Sequence, residues 1–191
     1  TAIIYQTGVD GTDWQYQTMQ NLAADMYAGY FHDMNGSFND KNSSYNLNSP
    51  WTNAQWANTY AQGMPAIASA EKIDTKDEFP DFYAVNKIIK VAMMHRVADY
   101  YGPIIYKNFG KENPDPESLQ EVYNDFFADL SEAIEILKEY TAQKGVERFT
   151  NTDIMMPEGK RTYSQWIKFA NSLRLRLAIR ISNVDKALAQ T

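Results

Sequence analysis

The chain has 191 residues, 44% hydrophobic and 14% aromatic, with 24 acids against 18 bases for a net charge of −6. That length suits one domain or slightly more, with a core that removes about 70% of the unfolded surface from water. Without Cys, and with His32 and His95 as its only histidines, the chain cannot carry a disulfide framework, a thiolate nucleophile or a Cys- or His-rich zinc site; it also lacks a basic nucleic-acid footprint and any apolar run near the roughly 20 residues of a membrane span.

In chain order, residues 1–13 read as an extended segment, with Ala2–Tyr5 apolar enough for a short extended piece. The opening TAIIYQTGVDG has no basic start, long apolar stretch or initiator Met, so it is not a signal peptide and reads as the trimmed start of a longer polypeptide. A first helix is predicted near 14–30, with Asp13 as N-cap and Met19, Leu22, Ala23, Met26, Tyr27 and Tyr30 at three- and four-residue steps. Residues 31–52 form a long polar connection carrying Phe38, Tyr45 and Trp51. Its length points to function or disorder, and its aromatics argue against disorder.

A second helix is predicted near 53–73, through Trp56, Tyr60, Met64 and Ile67, with a kink or break at Gly63 and Pro65. A third, near 79–101, places Phe82, Val85, Ile89, Ala92, Met93 and Val97 on one stripe and stops at Gly102-Pro103. Ile104–Tyr106 is a second short extended piece. A fourth helix, near 116–140, opens on Pro116 and carries the stripe Leu119, Val122, Tyr123, Phe126, Leu130, Ile134 and Leu137. A fifth, near 162–182, carries Trp166, Phe169, Ala170, Leu173, Leu177 and Ile181. Strand-like alternation is nearly absent. The fold class is therefore all-α, with helices of about 20 residues in pairs that suggest stacked hairpins joined by long loops.

Charge is uneven along the chain. Residues 1–70 hold one base, Lys41, and five acids, and eleven of the 26 aromatics lie among them. Elsewhere the charges follow helical rhythms of solvated faces, as in Glu132, Glu135 and Glu139. No two carboxylates stand out as a glycosidase pair. No Gly-rich phosphate loop is present, and Asp40–Ser44 has oxygen ligands but neither the central Gly nor the final Glu of a calcium loop. His95, among Met93, Met94 and Val97, reads as a core histidine. Arg174, Arg176 and Arg180 either form an anion groove or pair with acids of a neighbouring helix such as Asp99 or Asp129; the abundance of acids favours pairing.

The connection before the second helix carries the clearest chemistry. Sugars present flat C–H faces and rings of hydroxyls. Proteins meet them with aromatic rings and with amides that both donate and accept. Tyr45, Asn48, Trp51 and Asn53 supply that mixture within nine residues and are the candidate ligand-binding residues. Trp51 could equally anchor the connection to the helices. At Trp56, with Tyr60 at helical spacing, packing is favoured.

Three stretches resemble the SusD/RagB family of bacterial outer-membrane lipoproteins. KIIKVAMMHRVADYYGPIIY, residues 87–106, is similar to the family's helix and "aDyYGpiPYs" turn, with Ile105 where Pro is usual. VYNDFFADLSEAIEIL, residues 122–137, resembles a looser pattern. SQWIKFANSLRLRLAIRIS, residues 164–182, resembles "kW.kfaNSLrlRlA.Ri" and is the most specific. The resemblance covers nearly all of the chain from about residue 14. It implies a single α-helical domain, residues 1–191, corresponding to the N-terminal half of such a protein and built from tetratricopeptide-like helix pairs. It also implies display on the outer membrane through a lipid anchor, and capture of glycans or other nutrients for a SusC-like TonB-dependent transporter. No catalysis, cofactor or metal is implied. The competing readings are a helical protein-interaction adaptor without sugar binding and a glycan hydrolase. Exposed apolar faces are expected on the first and fifth helices, with a tendency to associate.

Overall fold

A computed structural model describes residues 17–36, 44–143 and 145–191. The expectations for residues 1–16, including the Asp13 cap, and for Phe38 and most of Asp40–Ser44 lie outside these residues. The chain divides into two compact units, 1–66 and 67–191. Among the described residues there is no strand, only a single antiparallel bridge between Ile104 and Glu117. The architecture is all-α, built as tetratricopeptide-like helical hairpins.

In the first unit a π-helical segment, Gln17–Ala24, buries Thr18, Met19, Leu22 and Ala23 and runs into the single turn α1 (Asp25–Tyr27). Helix α2 (Ser49–Asn58) packs against that segment. It continues through a π-helical turn, Thr59–Gly63, into α3 (Met64–Ile73). The kink or break expected at Gly63 and Pro65 is a widened turn, in which the Met64 N–H reaches back to the Thr59 carbonyl. Proline has no N–H and its ring crowds the preceding turn. One extra residue in the turn before it relieves that crowding, so the helix resumes instead of ending.

The second unit is built on α4 (Pro80–Tyr101), α5 (Leu119–Ala142) and α6 (Tyr163–Ile181), followed by the short α7 (Lys186–Ala189). Lys76 pairs with Glu132, Lys87 with Asp129 and Asp99 with Tyr123, so α5 runs antiparallel to α4 and the segment before it. Tyr163 meets Asp81 and Arg180 meets Asp99, so α6 runs parallel to α4.

Helix α4 is buried nearly all round. Its core residues are Ala84, Val85, Ile88, Val91, Met93, Met94, Val97 and Ala98, whereas Phe82, Ile89 and Ala92 of the expected stripe are half-buried. A helix enclosed by neighbours has no single apolar face. Helix α5 keeps one face, with Val122, Phe126, Leu130, Ile134 and Leu137 buried, while Leu119 is exposed.

Helix α5 begins not at Pro116 but at Ser118. The Ser118 hydroxyl accepts the Glu121 N–H, and the Glu121 carboxylate takes the Ser118 N–H at 2.9 Å. This reciprocal cap satisfies two donors that the first turn leaves free, and hydrogen bonds from Ser118 hold the Glu121 carboxyl below its usual range. Helix α4 ends as expected at Gly102, whose φ of +90° and ψ of −125° suit a residue without Cβ. The following turn is held by Glu117, whose carboxylate accepts the backbone N–H groups of Tyr106, Lys107 and Asn108 at 2.6, 2.9 and 3.3 Å.

His95 is 6% exposed and donates from Nδ1 to the Val91 carbonyl at 3.1 Å, a core histidine as its neighbours suggest. Burial lowers its pKa, against an upward pull from Val91 and Asp99 and with help from Arg176 and Arg96. The unfolded chain therefore binds a proton near pH 6.5 that the folded chain binds only at lower pH. Wherever the unfolded state holds more protons, stability rises with pH. The urea midpoint is expected to fall between pH 7 and 5, with a shallower fall in His95→Gln. An unchanged slope in the variant would remove His95 as the cause.

Candidate functional site

The aromatic and amide-rich surface lies in the first unit. The turn α1 brings Tyr27 to the end of the first helical segment, and Tyr45 stacks on it with ring centroids 5.5 Å apart and planes 15° off parallel. The Tyr45 hydroxyl also donates to the Tyr27 carbonyl at 3.3 Å. Tyr45 has φ +57°, in the left-handed region, at a cost of about 1–2 kcal/mol for a residue with a Cβ. The ring is not buried in exchange: Tyr45 is 69% exposed, and Tyr30 and Phe31 in the same unit are also open to solvent. Burial raises the pKa of Tyr27, so its phenol is uncharged at neutral pH.

The connection expected over 31–52 is shorter than its polar composition suggests. Helix α2 begins at Ser49, with Pro50 in its first turn and Asn48 extended just before it. Trp51, expected in the connection, therefore sits in a helix together with Asn53, which was expected at the helix start. At about 100° per residue they are roughly 200° apart around its axis, and Trp51 is half-buried while Asn53 is exposed. The Asn48 backbone carbonyl accepts both the N–H and the hydroxyl of Thr52 at 2.9 Å. Its side-chain oxygen is buried without a partner, so it offers nothing to a molecule in solution as placed. Of the four sequence-derived candidates, Tyr45 and Asn53 are solvent-facing, while Trp51 and Asn48 lean into the protein. Trp56 packs on Tyr60 with centroids 4.6 Å apart, in keeping with its helical spacing. Tyr27, read from the sequence as a helix-stripe residue, is the ring that composition could not single out.

The second unit holds a cavity of about 520 Å³, walled by Gly102, Leu119, Val184 and Leu188. Asp99, Tyr123 and Arg180 meet at its edge. Tyr123 donates to Asp99 at 2.5 Å, and Arg180 Nε lies 3.4 Å from the same oxygen. Burial first, then Asp99, pushes the Tyr123 phenol well up, so it is no proton acceptor at neutral pH. One carboxylate here braces three helices; the other acid of the cavity wall, Asp185, caps α7 by accepting the Leu188 N–H at 2.9 Å.

The expected pairing of the α6 arginines thus holds at Asp99 but not at Asp129. Asp129 accepts Lys87 Nζ and the Tyr106 hydroxyl, each at 2.6 Å. Lys87 and Tyr106 lie on α4 and the turn after it, elements against which the buried side of α5 is packed, and they occupy both oxygens. Burial alone would lower the pKa of Lys87, but Asp129 and Glu132 outweigh it and hold the ammonium above its usual range. Among the described residues no group of three or more His, Asp or Glu is placed to hold a metal. Nor is any helix long and apolar enough to cross a membrane.

The scaffold is all-α, built of tetratricopeptide-like hairpins, with open aromatic rings beside one of its helices. The family model described as "Susd and RagB outer membrane lipoprotein" matches residues 1–191, and the chain belongs to this SusD-like family. A SusD homologue from Bacteroides vulgatus is 44% identical, with a TM-score of 0.87 over 98% of this chain and 38% of its own. A chitin-binding SusD homologue from Flavobacterium johnsoniae is 34% identical, with a TM-score of 0.87 over 98% of this chain and 39% of its own. A third, from Bacteroides uniformis, is 32% identical, with a TM-score of 0.80 over 99% of this chain and 38% of its own. The chain thus spans about two fifths of the length of these solved relatives. No curated protein sequence matches it.

Proposed function

We propose that this chain takes part in non-catalytic capture of glycans at the bacterial surface, as a lipid-anchored partner of a SusC-like TonB-dependent transporter. Membership of a family described as outer-membrane lipoproteins supports the location. A relative that binds chitin supports the ligand class. The observation that carries the reading is the Tyr27–Tyr45 stack, which leaves the strained Tyr45 ring open to solvent. A preformed ring meets the C–H face of a pyranose without the entropy cost of ordering itself on binding. In this reading Tyr45 supplies the stacking face and the exposed Asn53 supplies an amide for hydroxyls. Trp51 supports the surface from the half-buried side of α2, and Asn48 joins only if its side chain turns outward.

Replacing Tyr45 with Ala is expected to weaken glycan binding about tenfold, or ~1.4 kcal/mol, with little change in stability because the ring is largely exposed. Titration calorimetry of wild type and variant with whichever oligosaccharide a glycan array selects measures this. Equal affinity in the two proteins removes Tyr45 from the site. A second reading, docking of a protein on the helices, draws on Leu175 and Ile179, four residues apart on α6 and more than 60% exposed. Pull-down of a membrane transporter by a chain that binds no sugar on the array favours that reading.

A further inference from the structure

We infer that the Tyr27–Tyr45 surface selects uncharged glycans over uronates, sulfated chains and free amino sugars. This rests on the glycan-capture reading and narrows its ligand class. The observation is the combination of open rings with an absence of cations. The described residues of the first unit, 17–36 and 44–66, contain no Lys or Arg. The only base in the first 70 positions is Lys41, and its neighbour in sequence is Asp40.

Recognition of carboxylate or sulfate relies on guanidinium forks or ammonium groups, which give charge-assisted and often bidentate hydrogen bonds. This unit offers none of these among its described residues. Its described ionisable groups, tyrosines aside, are Asp25, Asp33 and His32. An anionic chain laid on the rings would meet carboxylates of its own sign. Those carboxylates are also engaged: Asp25 Oδ1 accepts Gln20 Nε2 at 2.5 Å, and Asp33 Oδ1 accepts the Asn35 N–H at 3.1 Å. Each is a single half-buried carboxylate with a bond already on one oxygen, and a lone surface carboxylate holds an ammonium only weakly against water and salt. What the surface does offer is ring faces, amides and hydroxyls, the complement of a neutral pyranose chain.

The test uses the full chain on a glycan array that pairs neutral chito-, cello- and manno-oligosaccharides with galacturonan, heparin fragments and chitosan. Calorimetry on each hit follows at about 50 and 500 mM NaCl. The inference expects hits on neutral chains only, with affinity changing less than about twofold between the two salt conditions and falling about tenfold in Tyr45→Ala. Hits on galacturonan, heparin or chitosan whose affinity drops with salt overturn the inference and leave glycan capture standing. Neutral hits that Tyr45→Ala leaves unchanged overturn the placement of that selectivity on this surface. Binding to no member of the array overturns the glycan-capture reading, and the inference with it.

Discussion

Replacing Asp129 with Ala is expected to destabilise the fold by about 3–5 kcal/mol, the usual cost of removing one partner from a buried ion pair. Both partners are largely enclosed, with side chains 16% and 12% exposed at Lys87 and Asp129. The loss leaves the Lys87 ammonium to the more exposed Glu132, 3.3 Å away, and the Tyr106 hydroxyl without its acceptor inside the core. The same carboxylate joins α4, α5 and the turn after Gly102, so three pieces loosen together. Urea denaturation of wild type, Asp129→Ala and a Lys87→Met, Asp129→Leu double variant measures the effect. The double variant is expected to recover much of the loss, since apolar replacement of both partners removes the uncompensated charge. A single variant that costs less than about 1 kcal/mol would falsify the buried-pair account.

Trp166→Ala is expected to cost a similar amount, about 3–5 kcal/mol, by the cavity it opens. Trp166 is 2% exposed and lies among Phe149 and Phe169. Its indole N–H donates to Asp153 at 2.8 Å, and the other oxygen of Asp153 accepts the N–H groups of Met155 and Met156 at 2.7 and 3.0 Å. Truncation therefore empties core volume and leaves a buried carboxylate oxygen without its donor, which loosens the connection before α6 as well. Trp166→Phe separates the two contributions, because it keeps most of the ring volume and loses the N–H. Its cost is expected at about 1–3 kcal/mol, the penalty for a stranded polar group. Equal losses in the two variants would put the whole effect on the hydrogen bond.

Both substitutions act on contacts between segments far apart in the chain, and here the sequence became harder to read. Helix spacing, the Gly102 stop and the one-sided face of α5 are local. They follow from 3.6 residues per turn and from which side chains prefer water. The Ser118–Glu121 cap is equally local, with the Ser-x-x-Glu spacing before an apolar run as its signal, and it sets the helix start two residues after Pro116. Trp51 is legible as chemistry but not as geometry, because Pro50 starts a helix inside a stretch whose composition suits a loop.

Composition, periodicity and motifs suffice for an all-α protein of paired helices, for its family, and for a first third rich in rings and poor in cations. Helix packing is what reveals that α4 is buried nearly all round, that Asp129 faces Lys87 rather than an arginine of α6, and that Tyr27 backs Tyr45. Periodicity states how far around its own axis a side chain lies. It carries no information on which residue, tens of positions away, the crossing of two helices will bring within hydrogen-bonding reach.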